Sequence, residues 1–263
     1  MSTAPEVPAA PTVKENPSFE ILYWIGCAAS YDRRAQRVAR AVVKLLRHAK
    51  VNFAILGREE KCTGDSARRL GDEFLFQELA TANIETLAKY NVKRIVAHCP
   101  HCVNALLKDY SQFGGQYEVV HHTQLLAALI KEGRLPAVPG AAATPAGEVT
   151  YHDPCYLARV NGIHEAPREV LNTTLGGQSL CEMKRNRTGT SCCGAGGGRM
   201  WMEEDPKQRV STERAKEALG TGAKTIAVGC PFCLTMMTDG VAANGGEARV
   251  LDVAELLVEK LGL

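Results

Sequence analysis

Nine of the ten cysteines fall into two sets with the same order along the chain. The later set holds five thiols: Cys155, the doublet Cys192-Cys193 followed by Gly194, and Cys230-Pro231-Phe232-Cys233. The earlier set repeats it as Cys27, then Cys62-Thr63-Gly64, then Cys99-Pro100-His101-Cys102, so a threonine stands where the second thiol of the doublet would be. Four or five thiolates gathered at one point suit a soft, highly charged centre, either an iron-sulfur cluster or zinc. Zinc takes four ligands and gives no role to a fifth, so the set Cys155, Cys192, Cys193, Cys230 and Cys233 favours a cluster. The set Cys27, Cys62, Cys99 and Cys102 is complete for either. Cys181 has no counterpart in the first half and is expected to be a small buried residue. Cys-Pro-His-Cys opening a helix is also the pattern of a thiol-disulfide oxidase, but such a dithiol would need no second copy and no upstream partners.

Several neighbours are placed to tune such centres. Gly194 to Gly198 would let backbone approach closely and donate N–H bonds to sulfur, with Gly194 and Gly196 nearest; a phosphate cradle is the other reading, but no apolar strand precedes these glycines. His98, His101 and His152 adjoin expected ligands and could hydrogen-bond a cluster or carry a proton; polar strand ends are the plainer reading. His121 and His122 are expected to cap and pack. Met200, Trp201 and Met202 are expected in the core, and the basic run from Arg33 to Arg47 is expected to be a solvated helix face.

These thiols need elements to converge. Phe19 to Ile25 and Val51 to Leu56 read as strands, Arg33 to His48 as an amphipathic helix, Ser66 to Tyr90 as a helix, and Lys93 to Ala97 as a strand. Proline after Cys99 and Cys230 suits the first turn of a helix. In the second half, 148 to 152 and Thr225 to Val228 read as strands. Cys102 to Gln124 and Cys233 to Glu255 both span 22 residues. Asp252 with Glu255, and His121 with Gln124, fit a capping box before each last helix. The chain therefore reads as an internally duplicated α/β protein with mostly parallel sheets and helical cover, its thiols at the carboxyl ends of strands. The expected organisation is a disordered tail over 1–17, a first half over 18–134, a Pro, Ala and Gly-rich linker over 135–147, and a second half over 148–263.

At 263 residues the chain can bury a normal core without disulfides. A formal charge of +2 gives no pointer to nucleic acid or to an anionic membrane surface. No stretch approaches the length of a membrane span. Reduced thiols fit a cytoplasmic setting, peripheral to the inner membrane where a partner subunit supplies the anchor.

With these motifs the chain resembles the Cys-Cys-Gly iron-sulfur proteins, typified by the B-type subunit of heterodisulfide reductase, over about Phe19 to Leu263. It resembles more closely the carboxyl-terminal part of iron-sulfur oxidoreductases that link electron-transfer flavoproteins to quinone, through Cys62 to Asp65, Ala97 to Cys102, Tyr151 to Cys155, Cys192 to Met202 and Val228 to Cys233. The resemblance implies a non-cubane 4Fe-4S cluster on Cys155, Cys192, Cys193, Cys230 and Cys233, with Cys193 as the candidate catalytic residue. Thr63 departs from the pattern, so Cys27, Cys62, Cys99 and Cys102 would suit an ordinary 4Fe-4S cluster or zinc, which weighs against two-cluster disulfide cleavage. The expected function is an electron-transfer oxidoreductase subunit, active within a complex, between a flavoprotein or ferredoxin-like donor and a quinone-reducing partner. The rivals are a catalytic disulfide reductase and a zinc-stabilised module.

Overall fold

A computed structural model of the chain describes residues 10–136, 148–205 and 208–263. In the first half β1 (Ile21–Trp24) is the centre of a parallel sheet completed by β2 (Phe53–Ala54), β3 (Arg94–Ala97) and β4 (Glu118–His121), in the order β2-β1-β3-β4. The second half has its own parallel sheet of β5 (Val149–Tyr151), β6 (Thr225–Val228) and β7 (Arg249–Asp252), in that order. Every strand pair is parallel because each connection carries a helix that needs an apolar face to cover.

Four helices fill the space between the sheets: α2 (Arg33–His48), α6 (His122–Lys131), α7 (Glu165–Thr174) and α10 (Val253–Leu261). Helix α2 packs on α10 and α6 packs on α7, so each half's helices seat on the other's, as a pseudo-two-fold axis requires. Val42, Leu45 and Leu46 of α2 join Leu125 and Leu129 of α6, Leu171 of α7 and Leu257 of α10 in one buried cluster with Tyr23 and Tyr151. Apolar residues recurring three and four apart along α2 produce that buried face, while Arg33, Arg37 and Arg40 stay exposed, as expected of a solvated face. The outer faces are covered by α4 (Glu73–Lys89) on the first sheet and by α8 (Val210–Leu219) and α9 (Pro231–Ala243) on the second.

Several sequence expectations change. The expected helix over Ser66 to Tyr90 is two, α3 (Asp65–Arg69) and α4, because Gly71 takes φ +93° and the Asp72 side chain caps Leu75 N–H at 3.0 Å. Strands β4 and β7 complete the sheets where no strand was expected. Of the expected tail, 1–9 lies outside the described residues, but 10–17 packs: Thr12 bridges Ile55, and Val13 is buried. The expected linker lies outside the described residues from 137 to 147, and its first residue, Leu135, is buried. Trp201 and Met202 are 66% and 52% exposed, so of the expected core trio only Met200 packs. The capping boxes form at both predicted places, with the Gln124 and Glu255 side chains accepting from the His121 and Asp252 N–H groups. Among the described residues no helix is long and apolar enough to cross a membrane.

Candidate metal centre

Each strand of the central pairs delivers a thiol at its carboxyl end. Cys27 is the second residue of α1 (Gly26–Tyr31), just after β1, and Cys155 follows β5. Cys99 and Cys230 are the N-cap residues of α5 (Pro100–Asn104) and α9, each with proline in the first turn. Parallel neighbours β1 and β3, or β5 and β6, thus bring their thiols side by side, and a loop brings the Cys-x-Gly segment across.

The two sets have matching geometry. Cys27 Sγ lies 3.8 Å from Cys62 Sγ, and Cys155 Sγ lies 3.9 Å from Cys192 Sγ. The Gly64 N–H donates to Cys62 Sγ at 3.4 Å, and the Gly194 N–H donates to Cys192 Sγ at 3.2 Å. Gly194 holds φ +95°, where a side chain would be strained, so the glycine after the doublet is required by the turn that aims its N–H at sulfur. Gly196 sits 3.8 Å from Cys155 Sγ, measured from where a Cβ would stand. At the doublet's second position, Cys193 Sγ is 3.3 Å from Cys233 Sγ, and Thr63 Oγ1 is 3.8 Å from Cys102 Sγ. Thr63 therefore faces the first set as Cys193 faces the second, with a hydroxyl in place of a thiol.

The sets touch. The neighbouring thiols of Cys102 and, from the other half, Cys230 hold Cys99 well below its ordinary pKa. Pro231 and Phe232 line the first set's cavity with Cys27, Cys62, Cys99 and Cys102. Around the contact, His121 Nε2 lies 3.1 Å from the Gly229 carbonyl, and His122 Nε2 lies 2.9 Å from Asp252 Oδ1, both across the halves.

The thiol electrostatics call for a cation. Hydrogen bonds from Cys27 and Gly64 lower Cys62 to about 7, and bonds from Cys155, Cys193 and backbone amides lower Cys192 further. Their neighbours pay in the other direction: Cys27 and Cys155 are raised by the thiolates they serve, and Cys193 is pushed up to about 12 by Cys192. Without added positive charge only part of each set is favoured as thiolate, Cys62 and Cys99 in the first and Cys192 in the second, and the others are pushed the opposite way. All can ionise together only around a metal, so the donor sets fit a thiolate-bound centre.

The remaining expected residues divide. His152 is buried beside Cys193 and Cys233, with ligand atoms within 4.8 Å of one another. His98 is buried, accepts or donates at Nδ1 to Tyr23 OH at 2.8 Å, and is lowered to about 4 by burial and by His122. His101 pairs instead with Asp65 at 2.9 Å and stacks on Tyr156 at 3.9 Å, so it joins the halves. Cys181 stands apart: half-buried rather than buried, it donates to the Thr221 carbonyl at 3.3 Å. Cys193 is 2% exposed, which suits a ligand better than a thiol that meets a bulky substrate.

Sequence reading missed the supports. The Glu60 carboxylate accepts the Ile25 and Gly26 N–H groups and so fixes the Cys27 turn, and burial raises it to about 7. Asn83 donates to the Cys62 carbonyl at 3.0 Å. In the second half Arg168 forks onto buried Asp153 at 2.7 and 2.8 Å, just ahead of Cys155. Arg214, 0% exposed, donates to His152. A charged residue on the otherwise small, buried stripe of Ser211, Ala215 and Ala218 was the available signal for Arg214.

Comparison with known proteins agrees with this geometry. The chain is 47% identical over 95% of its length to 36% of a probable iron-sulfur-binding oxidoreductase, FadF, of Bacillus subtilis. It is 45% identical over 93% of its length to 35% of the EtfAB:quinone oxidoreductase of Syntrophomonas wolfei. It is 36% identical over 96% of its length to 62% of the D subunit of the dihydromethanophenazine:CoB--CoM heterodisulfide reductase of Methanosarcina barkeri. The chain thus spans about a third of the first two relatives and less than two thirds of the third. The model of the CCG cysteine-rich domain matches twice, at residues 21–107 and 149–238, and the chain belongs to that family.

Proposed function

We propose that the chain is the iron-sulfur electron-transfer part of an oxidoreductase complex, taking electrons from a flavoprotein or ferredoxin-like donor toward a quinone-reducing partner. The observation that carries this is the adjacency of the two thiol sets, since Pro231 and Phe232 of the second set's Cys-Pro-Phe-Cys turn line the cavity of the first, which would make their centres neighbours in one relay. Cys155, Cys192, Cys193, Cys230 and Cys233 would hold a 4Fe-4S cluster of non-cubane type. Cys27, Cys62, Cys99 and Cys102 would hold an ordinary 4Fe-4S cluster, with zinc as the alternative occupant. Such clusters supply one-electron transfer when bound.

The chain's own residues do the rest. The Gly64 and Gly194 amides donate to sulfur, and the N-termini of α5 and α9 favour the negative charge of a thiolate-bound centre. Pro231 and Phe232 wall the cavity of the first set. Names of the relatives support the reading: two are iron-sulfur oxidoreductases or quinone oxidoreductases and one is a reductase subunit.

The test is iron, sulfide and zinc analysis of anaerobically prepared protein, with electron paramagnetic resonance on the wild type and on Cys193→Ser. Two distinguishable paramagnetic centres are expected, one of them altered in Cys193→Ser. Protein with stoichiometric zinc and no sulfide would overturn the proposal.

A further inference from the structure

His152 is fully buried and follows β5, three residues before Cys155. Distance alone would make it a metal ligand, since one ring nitrogen and the sulfurs of Cys193 and Cys233 all lie within 4.8 Å of one another. Arg214 determines what the ring can offer. Its Nε–H donates to His152 Nδ1 at 3.0 Å. A guanidinium has donors only and keeps its proton, so Nδ1 must present a lone pair and the neutral ring carries its single proton on Nε2. Binding a metal through Nε2 while Nδ1 accepts this bond would require an imidazolate.

Arg214 is held in place by its other bonds. Its Nη1 donates to the Arg185 carbonyl at 3.0 Å and to Glu217 at 2.7 Å, and its Nη2 donates to Thr190 Oγ1 at 3.4 Å. Thr190 in turn donates to the Asp153 carbonyl at 3.0 Å, two residues ahead of Cys192. Among the described residues His152 Nε2 is buried with no hydrogen-bond partner. A buried donor without an acceptor costs about 1–3 kcal/mol, and the acceptors within reach are sulfurs.

The duplication gives a second, independent observation. Trp24 stands three residues before Cys27, as His152 stands three before Cys155, and in register it faces Ala97, two residues before Cys99. Trp24 is 0% exposed, packs in the cluster that contains Cys99 and Cys102, and its Nε1–H is also buried without a partner among the described residues. Indole nitrogen donates and cannot ligate. The same position therefore offers an N–H in both halves.

We propose that His152 is an N–H donor to the sulfurs of the second centre and not one of its ligands, that Arg214 is the positioning residue that fixes this tautomer, and that Trp24 is the corresponding donor at the first centre. This rests on the cluster reading of the two thiol sets. Hydrogen bonds to cluster sulfur favour the more reduced, more negative form and raise the reduction potential.

The test uses anaerobic, cluster-loaded protein. With ¹⁵N-histidine, hyperfine spectroscopy of the second centre should show only weak coupling to histidine; the strong coupling of a directly bonded nitrogen overturns the proposal. His152→Leu should lower the second centre's midpoint potential with its iron and sulfide retained, and His152→Gln, whose amide still donates, should recover part of the shift. Trp24→Phe should lower the first centre's potential alone. Unchanged potentials in both His152→Leu and Trp24→Phe overturn the donor role, and the wild-type hyperfine measurement stands even where a variant fails to fold. Wild-type protein without iron and sulfide overturns the cluster reading first, and this proposal with it.

Discussion

Arg168→Met tests how the second thiol set is held. The Arg168 guanidinium meets Asp153 with two bonds at 2.7 and 2.8 Å, Glu182 at 2.7 and 2.9 Å, and the His164 carbonyl at 2.7 Å, and the Arg168 and Asp153 side chains are 5% and 1% exposed. Methionine keeps the length and apolar volume of the stem but leaves the Asp153 carboxylate buried, with the Arg187 N–H at 2.8 Å as its remaining partner. Breaking a buried ion pair on one side costs about 3–5 kcal/mol, because the cost is the uncompensated charge and not the lost attraction alone. At about 2 °C per kcal/mol for a chain of this size, the melting midpoint should fall by about 6–10 °C. Adding Asp153→Asn removes the stranded charge, so the double variant should recover most of that loss. Asp153 lies between His152 and Cys155, so iron bound to the second set should drop in Arg168→Met while the first set keeps its own. Anaerobic thermal unfolding by circular dichroism, with metal analysis of each variant, reads both effects. A single variant within about 2 °C of the wild type, or a double variant no better than the single, would refute the reasoning.

Thr63→Cys places a thiol where Thr63 Oγ1 already lies 3.8 Å from Cys102 Sγ, so the first centre's paramagnetic spectrum should change toward that of the second, and an unchanged spectrum would show that position 63 does not reach the centre. Gly240→Ala should destabilise by about 1–3 kcal/mol in urea titration, because a Cβ there would stand 2.5 Å from the Ser211 carbonyl oxygen and 2.8 Å from Ala215 Cβ where α8 and α9 cross. His122→Ala strips Asp252 of its cross-half partner at 2.9 Å and should cost about 1–3 kcal/mol, read as a lower denaturation midpoint. In reduced, metal-free protein, a short pulse of iodoacetamide at neutral pH should label Cys62 and Cys192 first, being half-buried and held low, and Cys99, Cys102, Cys193, Cys230 and Cys233 last, being buried; peptide mass spectrometry gives the order.

The thiol sets were legible because ligand chemistry is local: a cysteine after a strand, proline in the next turn and glycine after the doublet each state their geometry within a few residues. Parallel sheets and the two capping boxes followed from alternation and spacing in the same way. Strands β4 and β7 were hidden because each offers only two apolar residues between polar ends, Val119 and Val120 or Val250 and Leu251, whereas β3 has three buried apolar residues in a row. The break at Gly71 was hidden inside a continuous helical pattern. Arg168 and Arg214 were hidden for a different reason. A buried arginine is tolerable only through partners far away in sequence, and neither the 15 residues separating Arg168 from Asp153 nor the 62 separating Arg214 from His152 carry any periodic signal. Trp201 misled because its apolar neighbours resemble a core segment, whereas the ring is exposed at the rim of a groove shared with Tyr31 and Phe232.

Those hidden arginines matter because the two halves share their thiol turns but differ in charge. The first turn is fixed by an anion: Glu60 receives the backbone amides before Cys27. The second is fixed by cations: Arg168 holds Asp153 before Cys155, and Arg214 holds His152. An anion beside one thiol set disfavours added electrons there, and a buried cation beside the other favours them. The fifth thiol works against this difference by adding negative charge at Cys193, and Arg214 stands on the side that must offset it. In the first half Thr63 contributes a neutral hydroxyl at the position of that thiol. Exchanging Thr63 and Cys193 between the halves should therefore widen the gap between the two reduction potentials. A gap that stayed the same on redox titration would mean that the surrounding charges, and not the doublet, set it.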